Sequence, residues 1–136
     1  MREFATLFGY AFQLTNIIRD VGADLELERI YLPLQDIKES GYSTEALLLR
    51  DHNEAFNRVM ELEYQRAKKY YQRARALVDP RDRLNLLAAE VMAHGYERLL
   101  DQIKDSGFRV LDRRNQLSSW RKARTAFKAW MYCHGF

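Results

Sequence analysis

Gln13, Asn16, Arg19, Asp20 and Asp24 fall within the twelve residues Gln13-Leu-Thr-Asn-Ile-Ile-Arg-Asp-Val-Gly-Ala-Asp24, and the side-chain oxygens of all but Arg19 are of the kind that hold a hard cation. At about 100° per residue, Gln13, Asn16, Asp20 and Asp24 sit near 0°, −60°, −20° and +20° of a helical wheel, in one narrow stripe. Leu7, Ala11, Leu14, Ile18, Val21 and Leu25 form an apolar stripe on one flank, and Phe4, Phe8 and Phe12 cover the far side. An Asp-x-x-x-Asp pair on a helix is ordinarily a solvated face. Here the carboxylates share their stripe with two amides between apolar flanks, which predicts a stripe that faces a cavity. Neither aspartate has a Lys or Arg three or four residues away, and like charges at that spacing repel. Oxygen-only ligands select a cation such as Mg²⁺, which keeps several waters and is commonly shared with substrate phosphates. The local chemistry therefore points to a diphosphate ligand, with Asp20, Asp24 and Asn16 as candidate metal ligands and Gln13, Asn16 and Arg19 as candidate substrate contacts.

The run Phe12-Gln-Leu-Thr-Asn-Ile-Ile-Arg-Asp-Val-Gly-Ala-Asp-Leu25, followed by Arg29-Ile-Tyr-Leu-Pro33, resembles the second aspartate-rich motif of the squalene/phytoene synthase family. The resemblance extends from about Phe8 to Trp130 and covers the C-terminal half of the family domain. The family's first aspartate-rich motif lies N-terminal of that region, and nothing before Gln13 supplies it. The resemblance implies an all-α, isoprenoid-synthase-type helical bundle, with residues 1–136 as a partial, C-terminal domain. It implies a Mg²⁺-dependent (or Mn²⁺-dependent) prenyl transferase that condenses two prenyl diphosphates head to head. The first expectation is two farnesyl diphosphates giving presqualene diphosphate or squalene, as in bacterial hopanoid-type enzymes, with NADPH needed only if the reaction proceeds to squalene. Phytoene synthesis from geranylgeranyl diphosphate shares every motif quoted. A catalytically inactive helical fragment or assembly module is the expectation from another class, and this chain alone is expected to be inactive for want of the first motif. By the same resemblance, Arg29 and Tyr31 belong to a loop over the cavity mouth, Tyr96 supplies a cavity tyrosine, and Arg109 binds diphosphate through a planar fork.

These residues need helices to position them, and the chain reads as helical throughout. The first helix is expected from Glu3 to Glu26, a short one from Leu34 to the stop at Ser40-Gly41, and another capped by Ser43 and running to Leu49. Asp51 with Glu54 reads as a capping box for a helix from His52 to Val78. Asp79-Pro80 breaks the chain, and helices follow over 84–104 and from Ser118 or Ser119 to Tyr132. Tyr64, Ala67, Tyr71 and Ala74 fall at core spacing, with the neighbouring basic residues as a solvated face rather than a nucleic-acid surface. Tyr96 shares its spacing with Leu99, Leu100 and Ile103, which fits core packing as well as catalysis. His94 is expected to be packed inside.

Composition narrows the class. With 136 residues, 47% hydrophobic, the chain suffices for one modest core. Charged residues interrupt every apolar run before it reaches the length of a membrane span, and Met-Arg-Glu-Phe is not the start of a signal peptide. The single cysteine, Cys133, forms no internal disulfide and fits a reducing, cytoplasmic compartment; with His134 it makes no metal site. A net charge of +3 does not argue for nucleic acid. Trp120, Trp130 and their basic neighbours suggest peripheral contact with the inner membrane. The Phe4, Phe8 and Phe12 face, expected to lie uncovered, suggests self-association.

Overall fold

A computed structural model describes residues 2–111, and every regular element among them is helical. The order is α1 (Arg2–Arg19), α2 (Val21–Glu26), α3 (Leu34–Glu39), α4 (Thr44–Leu48), α5 (Glu54–Ala76), a 3₁₀ turn at Pro80–Asp82, and α6 (Leu87–Asp105). The helix expected over 118–132, with Trp120, Trp130, Cys133 and His134, lies outside the described residues. No described helix is long and apolar enough to cross a membrane.

α1 packs chiefly on α5 and more narrowly on α6, and α5 carries α3 on another part of its surface. The contact is built where the sequence repeats apolar residues every three or four positions. Leu7, Ala11, Leu14 and Ile18 are buried on α1; Phe56, Val59, Met60, Tyr64, Ala67, Tyr71 and Ala74 on α5; Ala89, Ala93, Tyr96, Leu100 and Ile103 on α6. Alanines at the crossings let the helix backbones approach closely.

The phenylalanine face corrects an expectation. Phe4, Phe8 and Phe12 are all buried. The Phe8 ring stacks on Phe12 at 5.7 Å, and Phe12 meets Tyr71 edge-on at 6.0 Å and Tyr96 at 4.7 Å. Each such burial is worth about 1.5–3 kcal/mol, so this side of α1 is the centre of the core, not a surface left for another molecule. Thr15 is fully buried beside it. Its hydroxyl donates to the Ala11 carbonyl (2.7 Å), so Tyr71 must donate to Thr15 across their 2.8 Å contact.

Other departures are local. The expected first helix divides at Asp20, whose φ of −99° and ψ of 11° leave the helical region. The cap of α5 is Asn53, which accepts from the Phe56 N–H, not Asp51. α6 begins at Leu87, three residues later than expected, and leaves Leu84 exposed. His94 is three-quarters exposed, 3.8 Å from Glu90, instead of packed inside. The basic residues of α5 are only partly a solvated face: Lys68 and Arg75 pair with Glu97 of α6 at 3.0 and 2.7 Å.

Four helices end in the same way. In α2, α3, α4 and α6 the residue after the cap takes positive φ, and two backward N–H bonds close the end as a Schellman motif. α3 and α6 place Gly41 and Gly107 at that position, whereas α2 and α4 place Glu28 and Arg50 there, each with φ 57°.

Candidate functional site

The acidic stripe survives the break at residue 20. The Asp20 N–H donates to the Asn16 carbonyl (2.9 Å) and the Asp24 N–H to the Asp20 carbonyl (2.7 Å), so the three side chains stay about one turn apart along one line. Asn16 is buried, Asp20 and Asp24 are half-buried, and Gln13 is exposed. The stripe therefore runs from solvent into the molecule rather than lying wholly inside a cavity.

Asp20 is not unpaired, as its spacing had suggested. Arg19 Nε and Nη2 donate to its two carboxylate oxygens at 2.7 and 2.8 Å. Neighbours in sequence do not face each other on a regular helix, and the irregular backbone at Asp20 is what allows the pair. The pair leaves one guanidinium nitrogen over. Arg19 Nη1 is buried without a hydrogen-bond partner, and so is Asn16 Oδ1. Leaving such a group unmade costs about 1–3 kcal/mol each, and here one is a donor and the other an acceptor.

Asp24 is pushed above its ordinary pKa, first by burial and then by the charge of Asp20, against the pull of Arg29 and Arg19. The Schellman end of α2 explains how Arg29 comes near. Its N–H donates back to the Asp24 carbonyl at 2.8 Å, folding the loop over the aspartate. Asp24, Arg29 and Tyr31 then line one cleft with Ile17, Val21 and Leu47, whose free volume of about 10 Å³ admits a single water. Arg29 and Tyr31 are themselves exposed at its rim.

The remaining candidates divide. Tyr96 is buried against Phe12 in the core. Arg109 is exposed and follows Phe108, which takes φ 58° after Gly107. Its segment nevertheless reaches α2: a Cβ at Gly22 would collide with the carbonyl oxygens of Val110 and Leu111. Two distant parts of the chain thus meet backbone to backbone between the two aspartates.

No group of three His, Cys, Asp or Glu side chains converges on one point among the described residues. The donor set fits a hard divalent cation as a half-site: two carboxylates, one raised by burial and then by its neighbour's charge, and an amide oxygen without a partner. Spacing gave no sign of two features. Glu63 is fully buried on α5 between Asp36 and Arg66, and Arg50 donates to carbonyls of both Gly22 and Leu111.

Residues 1–121 match the family model described as squalene/phytoene synthase. A phytoene synthase of Arthrospira platensis is 36% identical over 124 residues, covering 89% of this chain and 39% of that protein. A 15-cis-phytoene synthase of Synechocystis is 33% identical over 130 residues, 96% of this chain and 39% of that protein. A phytoene synthase of Thermus thermophilus is 33% identical over 127 residues, 93% of this chain and 44% of that protein. The chain spans about two-fifths of the length of these curated relatives.

Proposed function

Because the chain belongs to the squalene/phytoene synthase family, with the all-helical architecture of isoprenoid synthases, we propose that it forms the C-terminal part of an enzyme that joins two prenyl diphosphates head to head. The names of its relatives support phytoene synthesis from geranylgeranyl diphosphate over the farnesyl expectation. That reading calls for no NADPH.

One observation carries the reading: Asn16 Oδ1 and Arg19 Nη1 are both buried and both without hydrogen-bond partners, on the residues one turn before Asp20 and next to it in sequence. A ligand that presents a cation and anionic oxygens together satisfies both. Asp20, Asp24 and Asn16 would hold Mg²⁺, or Mn²⁺ in its place, and the metal supplies neutralisation of the charge that develops on a departing diphosphate. Arg19, already oriented by Asp20, donates its free nitrogen to a diphosphate oxygen, and Arg29 and Arg109 add charge at the rim. Gln13 orients water or phosphate at the solvent end of the stripe. Tyr31 stands with Arg29 at the rim of the cleft, and Tyr96, by the family resemblance, would present its ring to an allylic cation, although here it is packed against Phe12 in the core.

Titration of Mn²⁺ with pyrophosphate into the wild type and into Asp20→Asn/Asp24→Asn tests the site. Wild type binds the pair more tightly than either component, because two carboxylates leave most of an octahedral ion's positions to water and phosphate. The double variant loses that gain. Equal binding by both proteins overturns the assignment and leaves the inactive helical module as the better reading.

A further inference from the structure

Arg50 occupies a backbone position that glycine would fill without strain. It follows the cap of α4 with φ 57°, and its N–H closes the helix on the Leu47 carbonyl at 2.9 Å. At the equivalent position α3 and α6 use glycines. Strained backbone of this kind persists where the surroundings over-determine it and clusters at functional sites. What holds Arg50 is its side chain. Nη2 donates to the Gly22 carbonyl at 3.2 Å, and Nη1 donates to the Leu111 carbonyl. Gly22 lies between Asp20 and Asp24, and Leu111 lies two residues beyond Arg109. These are the backbones whose contact leaves no room for a Cβ at Gly22.

We propose that Arg50 is a positioning residue. By joining the Gly22 and Leu111 carbonyls it fixes α2, which is capped by Asp20 and bears Asp24, against the segment that bears Arg109, and so sets the separation between the two sides of the diphosphate grip. A guanidinium suits the task. Its planar fork offers two donors in fixed geometry and stays charged at every working pH, whereas a lysine reaches one carbonyl as a point charge. Both Nη atoms are spent on carbonyls, so Arg50 acts through α2 and not on the ligand itself. The inference rests on the diphosphate reading of Asp20 and Asp24.

Arg50→Gly separates positioning from folding, because glycine keeps the helix end and relieves its strain while removing the clamp. In calorimetry on the full chain with Mn²⁺ and pyrophosphate, this variant binds pyrophosphate about ten- to a hundredfold more weakly, the usual cost of losing a residue that orients ligands. Its affinity for Mn²⁺ alone is unchanged, since Asp20 caps the helix that carries Asp24 and the Asp24 N–H stays bonded to the Asp20 carbonyl. Arg50→Lys, with one bond restored, falls between, and carries the test if the glycine variant does not fold. A variant that melts lower yet binds Mn²⁺ and pyrophosphate like the wild type overturns the proposal. Asp24→Asn distinguishes the two failures. If it too binds like the wild type, the diphosphate reading has failed; if it loses binding while Arg50→Gly keeps it, only the positioning role has.

Discussion

Glu63 has no solvent exposure, yet it is a carboxyl group on the long helix α5. Arg66 Nη1 donates to both of its oxygens at 3.1 Å and to Asp36 Oδ2 at 2.7 Å, which ties α3 to α5. Burial pushes Glu63 up to about 8, helped by its hydrogen bond with Asp36. Asp36 moves the other way, lowered by that same hydrogen bond and by Arg66. The two carboxyls therefore share one proton at neutral pH. A folded pKa raised above the unfolded value makes a contribution that is complete below that value and is lost as pH rises through the folded one. For Glu63 the window runs from its ordinary 4.5 to about 8; the Asp36 contribution is lost only at lower pH. Glu63→Gln keeps a donor to Asp36 without titrating. The melting temperature of the wild type should fall across this window relative to the variant, as thermal melts in a pH series will show. Parallel profiles would mean that Glu63 is ionised in the native protein.

At the scale of the element, helix ends decide how the site is presented. The irregular residue Asp20 separates α1 from α2 and admits the Arg19–Asp20 pair, and the Schellman end of α2 returns Arg29 toward Asp24. α5, against which α1 lies, starts at Asn53, whose Oδ1 accepts from Phe56 at 2.9 Å. Asn53→Ala leaves an N–H of the first turn without its partner and should cost about 1 kcal/mol, readable as a lower denaturant midpoint at unchanged slope. Asp51→Ala should cost little, because Asp51 does not serve as the cap. An equal effect of the two substitutions would restore the capping box read from Asp51 and Glu54.

For the whole molecule, the core and the half-site are of one piece. α1 buries Phe8, Phe12 and Ile18 against α5 and α6 while carrying Asn16 and Arg19 along its length. On the diphosphate reading, the acidic stripe would supply one side of a metal cage, and no group of three His, Cys, Asp or Glu side chains converges among the described residues. A cation formed against one side of such a cage is open to water. Purified chain incubated with Mg²⁺ and geranylgeranyl or farnesyl diphosphate should therefore bind substrate and release no condensed product. Appearance of phytoene or presqualene diphosphate would show that the residues present suffice for turnover.

Periodicity made much of this protein legible. Apolar residues at three- and four-residue spacing gave the buried faces of α1, α5 and α6, including Tyr64, Ala67, Tyr71 and Ala74, and Gly41 marked the end of α3, because both signals are local to the chain. The acidic stripe was legible for the same reason: residues one turn apart share a face whatever else the chain does. Tertiary structure decided which faces meet. It covered Phe4, Phe8 and Phe12 with Tyr71 and Tyr96, turned His94 outward, and buried Glu63 beside Asp36, none of which spacing along a single helix could fix. It also brought Gly22, Arg50 and Leu111 together from positions 28 and 61 residues apart. At Arg50 and Glu28 the helix ends take positive φ without the glycine that announces such a conformation, so the ends were legible but their left-handed residues were not. A contact between distant backbones has no period to read; it exists only once the helices have packed.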